Sequence, residues 1–106
     1  MKKEILSESY KNLSYEKTYS CAIVKIETTS KKEFVFKFST EQGNSYDHLW
    51  IYNFAKDGKW DLFAGINEIP LEFETSFMSK DEKRIADHKR IIKEAIDFVC
   101  DLVEKF

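Results

Sequence analysis

Between Thr18 and Thr28 the apolar positions alternate. Ala22, Val24 and Ile26 fall on one side, and Cys21, Ile23, Lys25 and Glu27 on the other, the period-two pattern of a half-buried strand. After the polar stretch TTSKKE the pattern resumes: Phe34, Phe36 and Phe38 alternate with Val35, Lys37 and Ser39. This predicts a second strand paired to the first through a turn around Ser30 and Lys31, with its three rings added to the same face. Gly and Asn in EQGNS suit the left-handed conformations of a tight turn, and a third strand is predicted from Tyr46 to Ala55.

Asp57-Gly58 between two apolar runs is a strong local signal, because that pair suits a two-residue hairpin turn with positive φ at both central positions. Counting outward pairs Ala55 with Trp60, Asn53 with Leu62 and Ile51 with Ala64 on one face. Phe54 with Asp61 and Tyr52 with Phe63 then fall on the other. Pro70 lacks an amide donor and suits the start of a further short strand at Leu71–Thr75, at an edge.

Ser79-Lys80-Asp81-Glu82 is a capping box, and it predicts a helix start. From there Ile85, His88, Ile92, Ala95, Val99, Leu102 and Phe106 recur at steps of three and four, flanked by Ile91, Ile96, Phe98 and Val103. Lys83, Asp87, Arg90, Lys93, Glu94, Asp97 and Asp101 form the solvated side. At the other terminus Ile5, Leu6, Tyr10 and Leu13 stand at roughly helical spacing, in a stretch that reads as a short helix and equally as a strand or an arm. The expected architecture is therefore α+β. One domain spans residues 1–106, an antiparallel meander of about five strands packed on one long C-terminal helix.

Composition changes this picture little. With 106 residues, 42% apolar, 34% charged and 15% aromatic side chains, three Gly and one Pro, the chain has the balance of a folded domain without linkers or low-complexity segments. The opening MKKEILSESYKNL lacks the apolar core and cleavage site of a secretory signal, and no run reaches membrane-spanning length. The expectation is a cytoplasmic protein with no membrane contact and with Cys21 and Cys100 as free thiols. Seventeen basic and nineteen acidic side chains give a net charge of −2, which does not favour nucleic acid as a partner.

Candidate chemistry is sparse. The two histidines each follow an aspartate, Asp47-His48 and Asp87-His88. Neighbours on a strand point to opposite faces and neighbours on a helix diverge by about 100°, so neither dipeptide is an acid–base dyad by itself. His88 sits in the helix's apolar stripe, where a core histidine bonded to a polar partner is expected. His48 would need an acidic neighbour in space to serve an enzyme. No paired spacing suggests a metal, and no Gly-rich loop or nucleophile elbow suggests a cofactor or covalent chemistry.

Two arrangements stand out. Trp50, Tyr52, Phe54 and Phe63 are expected on one sheet face, which should be covered by the N-terminal segment, a homodimer mate or a partner. A meander also places Lys31, Lys32, Lys56 and Lys59 at one end of the sheet, with the helix start, Lys80, Lys83 and Arg84 beside them. Glu41, Asp47, Glu68, Asp101 and Glu104 would then lie at the opposite end, leaving the molecule electrically polarised. Size and architecture are similar to those of immunity proteins, phage-encoded inhibitors and secretion chaperones. The expected function is a non-catalytic protein-binding module, an inhibitor, immunity or accessory protein of phage or bacterial type. A nucleic-acid binder using the basic end is the alternative, and a small enzyme comes third.

Overall fold

The computed structural model describes residues 1–11, 19–41, 47–69 and 80–106. Five strands, β1 (Lys2–Lys11), β2 (Tyr19–Glu27), β3 (Glu33–Glu41), β4 (Asp47–Phe54) and β5 (Trp60–Ile69), form one antiparallel sheet in the order of the chain, followed by helix α1 (Lys80–Glu104). The expected α+β meander is therefore present, but its first member is a strand and not a short helix. The turn expected beyond Glu41, the strand expected at Leu71–Thr75 and the capping Ser79 lie outside the described residues.

A bulge in β1 explains the misleading spacing at the amino end. Ile5 pairs with Val24 and Ser7 with Ile23, so Leu6 is an extra residue. The interruption breaks the period-two alternation. The core face follows the expected alternation elsewhere. Ala22, Val24 and Ile26 of β2, Phe36 and Phe38 of β3, and Leu49 and Ile51 of β4 pack with Ile92, Ala95, Ile96, Val99 and Val103 of α1 into one buried cluster. On the helix, Asp87 departs from its expected solvated position, being buried beside Arg90 at 3.8 Å, and Phe98 is exposed. Neither Cys21 nor Cys100 is in a disulfide; burial pushes the Cys100 thiol above its ordinary range, which disfavours the nucleophilic thiolate.

Both described hairpins close in the same way. Thr28 N donates to Lys32 O at 2.9 Å and Lys31 N to Thr28 O at 3.0 Å; Ala55 N donates to Lys59 O at 2.8 Å and Gly58 N to Ala55 O at 3.0 Å. Each is a three-residue loop whose third member has positive φ, 68° at Lys31 and 82° at Gly58, and not the two-residue turn expected at Asp57-Gly58. The longer loop shifts the register of the tip, so Phe54 pairs with Trp60, Asn53 with Asp61 and Tyr52 with Leu62. A bulge between Ile51 and Tyr52 then absorbs one residue of β5, and Ile51 meets Ala64 as expected.

The helix is fixed to the sheet at both ends by polar contacts. Near its start, His88 Nε2 lies 2.6 Å from Asp47 Oδ2, and its Nδ1 lies 2.9 Å from Ser20 Oγ and 3.1 Å from Thr40 Oγ1. All four residues are buried, and Thr40 Oγ1 also accepts from the Ser20 amide at 3.0 Å. Near its end, Glu104 accepts from the Thr29 amide at 2.9 Å, and Phe106 packs edge-on to Phe34. The helix therefore starts where β3 ends and β4 begins and finishes at the Thr28–Lys32 turn, the reverse of the direction expected for it.

Two predictions follow from this anchoring. Asp47→Ala or His88→Ala removes one half of the buried pair and should cost about 3–5 kcal/mol in urea unfolding, while apolar replacement of both should cost clearly less than the sum of the two. A double variant whose loss equals the sum of the two single losses would contradict the pairing. Hydrogen bonding by Thr29, its side chain and then its amide, holds the Glu104 carboxyl below the ordinary range. Its folded value is lower than its unfolded one, so its contribution is full above the unfolded carboxylate range and fades as the pH falls through the folded value. Glu104→Gln should therefore flatten the acid limb of a stability-against-pH curve and leave the neutral limb parallel to wild type.

Candidate functional site

The face of the sheet turned away from α1 is organised in cross-strand rows. Ile23, Lys37, Tyr52 and Leu62 form one row; Cys21, Ser39, Trp50 and Gly65 form the next; Phe54 and Trp60 pair at the hairpin tip. Antiparallel neighbours on one face touch directly, so sequence spacing of two along β4 becomes a continuous aromatic surface. Phe54 and Leu62 are 47% and 61% exposed, while Trp50, Tyr52 and Trp60 are half-buried. Large apolar side chains held this open on a sheet face are uncommon in a surface that meets only water.

Lys37 organises the centre of this face. Its Nζ lies 4.8 Å from the Tyr52 ring centre and 4.9 Å from that of Trp60, two cation–π contacts worth about 0.5–1 kcal/mol each at an exposed site. The ammonium is thus held among rings and still has hydrogens to donate outward. Phe54 packs against Trp60 with ring centres 5.1 Å apart, and His48 stacks on Trp50 at 6.2 Å. Trp50 lies flat over Gly65: a Cβ added there would meet two ring carbons at 2.9 Å. Glycine on an edge strand covered by a cross-strand ring keeps the ladder shielded while the ring is held in one orientation.

The expected aromatic set is corrected in one member and extended in two. Phe63 is not on this face: as the extra residue of the β5 bulge it turns to the helix side, 5.2 Å from Phe36 and packed on the core. Trp60 and Leu62 take its place. Sequence counting missed them because a tight two-residue turn would have put both on the opposite face.

Lys31, Lys32, Lys56 and Lys59 are exposed in the two turns at one end of the sheet. Lys31 lies 3.6 Å from Glu27. The helix brings its carboxyl end there, with Asp101 and Glu104, and its first turn lies at the other end. The expected polarisation is accordingly cancelled, since acidic helix residues sit where basic ones were expected.

The two Asp-His dipeptides meet, but crosswise: Asp47 of the first bonds to His88 of the second. With Ser20 they make a carboxylate–imidazole–hydroxyl chain, the residue types of a hydrolase triad. Every member is fully buried, so no substrate carbonyl reaches Ser20 Oγ, and the hydroxyl bonds Nδ1 while the carboxylate takes Nε2. This is a core polar cluster that fixes elements in place. His48 stands on the other face with Glu41 as its cross-strand partner.

No protein-family model, no curated protein and no solved structure matches this chain.

The Trp50 seat is testable directly. Gly65→Ala, made in a Trp60→Phe background, should push the ring off the sheet, shift its emission to the red and cost about 1–3 kcal/mol in stability. An unchanged spectrum would show that the glycine does not hold the ring.

Proposed function

We propose that this chain is a non-catalytic protein-binding module, an inhibitor, immunity or accessory protein, that acts by stoichiometric contact through the open aromatic face. The observation that carries the reading is the half-exposed set Trp50, Tyr52, Phe54, Trp60 and Leu62 arranged around Lys37. Large rigid rings bury much area at little entropic cost, and such residues dominate the energetics of protein interfaces. A basic centre among rings suits a partner that presents apolar side chains around a carboxylate. Lys56 and Lys59 of the adjoining turn, with Lys31 and Lys32 at the same end, would form the polar rim.

Two observations weigh against the other readings. The convergent acid, base and hydroxyl are sealed in the core, so an enzymatic reading would have to rest on His48 and Glu41. Nucleic-acid binding through the basic end is weakened because Asp101 and Glu104 share that end, and backbone recognition depends on uninterrupted positive charge.

Affinity capture from native host lysate, with nuclease, compares the wild-type chain with a Phe54→Ala/Leu62→Ala variant and a Lys31/Lys32/Lys56/Lys59 charge reversal. The expected result is one nuclease-resistant protein at stoichiometric yield, lost in the aromatic variant while its circular dichroism stays native, and reduced in the charge reversal. Equal recovery by all three would remove both surfaces from consideration. Material that disappears on nuclease treatment would move the assignment to nucleic acid.

A further inference from the structure

Among the described residues, the strand β1 is an edge of the sheet, ten residues long and paired only to β2. An unpaired edge is a row of amides and carbonyls ready to accept another strand. Its helix-side residues Lys3, Ile5, Glu8 and Tyr10 form, with Ile92 and Ile96 of α1, the wall and floor of a groove of about 390 Å³. Ile5 and Leu6 are 50% and 49% exposed at the middle of this edge. Lys3 makes a long exposed contact to Asp97 at 3.4 Å, a pair of a kind that contributes little and exchanges readily.

The bulge at Leu6 determines which strand fits. It shifts the alternation of β1, so the helix-side residues are 3 and 5 before it and 8 and 10 after it. A regular strand laid along this edge would match faces on one side of the bulge and mismatch them on the other. A strand carrying the same bulge, run antiparallel, stays matched throughout.

We infer that a second copy of this chain pairs antiparallel along β1, joining two sheets edge to edge about a two-fold axis at the bulge. In that register Lys3 stands opposite Glu8 of the second copy and Glu8 opposite its Lys3, so two ion pairs form by symmetry. Glu4 faces Ser7 and Lys2 faces Ser9, and neither is a like-charge contact. Ile5 meets Leu6 across the axis, and the four half-exposed apolar side chains come together there. The interface is isologous, and it lies on the edge of the sheet, apart from the aromatic face.

Sedimentation equilibrium on the full chain over a concentration series tests this, with Glu8→Lys, Lys3→Glu, the double exchange and Trp50→Ala alongside wild type. The expected result is a reversible dimer whose dissociation constant rises about tenfold or more in each single reversal, through like charges placed opposite each other twice. The double exchange restores the pairing, and Trp50→Ala leaves it unchanged. Circular dichroism confirms that each variant is folded. A wild-type chain that is monomeric at every concentration overturns the inference, as does a dimer indifferent to both reversals or one that the double exchange fails to rescue. Loss of the dimer in Trp50→Ala instead would locate self-association on the aromatic face and also remove that face from partner binding.

Discussion

The buried contact between Asp47 and His88 is the constraint from which the arrangement of this molecule follows. A carboxylate cannot sit in an apolar interior without a partner, and here the partner comes from a helix that begins 33 positions later in sequence, at Lys80. The same imidazole reaches Ser20 and Thr40 through its other nitrogen, so one side chain ties α1 to β2, β3 and β4. Hydrophobic contact alone would let an amphipathic helix slide or reverse on a sheet. A hydrogen-bonded cluster with one satisfying geometry does not, which is how a polar core group specifies an arrangement.

With the helix held at that end and again at Thr29 by Glu104, one face of the sheet is committed to the core. The other is left to β3, β4 and β5, whose rows gather Lys37 and the rings of Trp50, Tyr52, Phe54 and Trp60. Each ring has a local reason for its position: Trp50 has a glycine beneath it, Trp60 has Phe54 beside it, and Tyr52 and Trp60 share one ammonium. The surface is therefore ordered before anything binds, so the side-chain entropy that association would otherwise cost is already spent.

Most of the architecture was legible in the pattern of residues. The alternation in β2 and β3 and the three-and-four spacing from Ile85 to Phe106 are strictly local signals, and both held. What escaped the sequence has a common cause. A bulge inserts one residue with no signature of its own, so Leu6 made a strand resemble a helix and Phe63 crossed to the core. The turn at Asp57-Gly58 was recognised from its residues, but its length depends on where positive φ falls, and only Gly58 adopts it. Helix direction is tied to the long-range contacts of His88 and Glu104, which no local pattern decides. The union of Asp47 with His88 is a contact between residues 41 positions apart, and its two halves were read separately because each had a more conspicuous neighbour.

The bulge in β5 has a further consequence for how such a chain can vary over time. It divides the hairpin into a stem whose spacing is dictated by the core and a tip whose spacing is dictated by the turn, with Phe63 as the join. A change of register at the tip need not propagate past that join, because the bulge already offsets the two ladders by one residue. The part of the molecule that carries Phe54, Trp60 and Leu62 is in this sense insulated from the part that folds it. The tip could therefore change in length and sequence over time while the pairing of the stem stays intact.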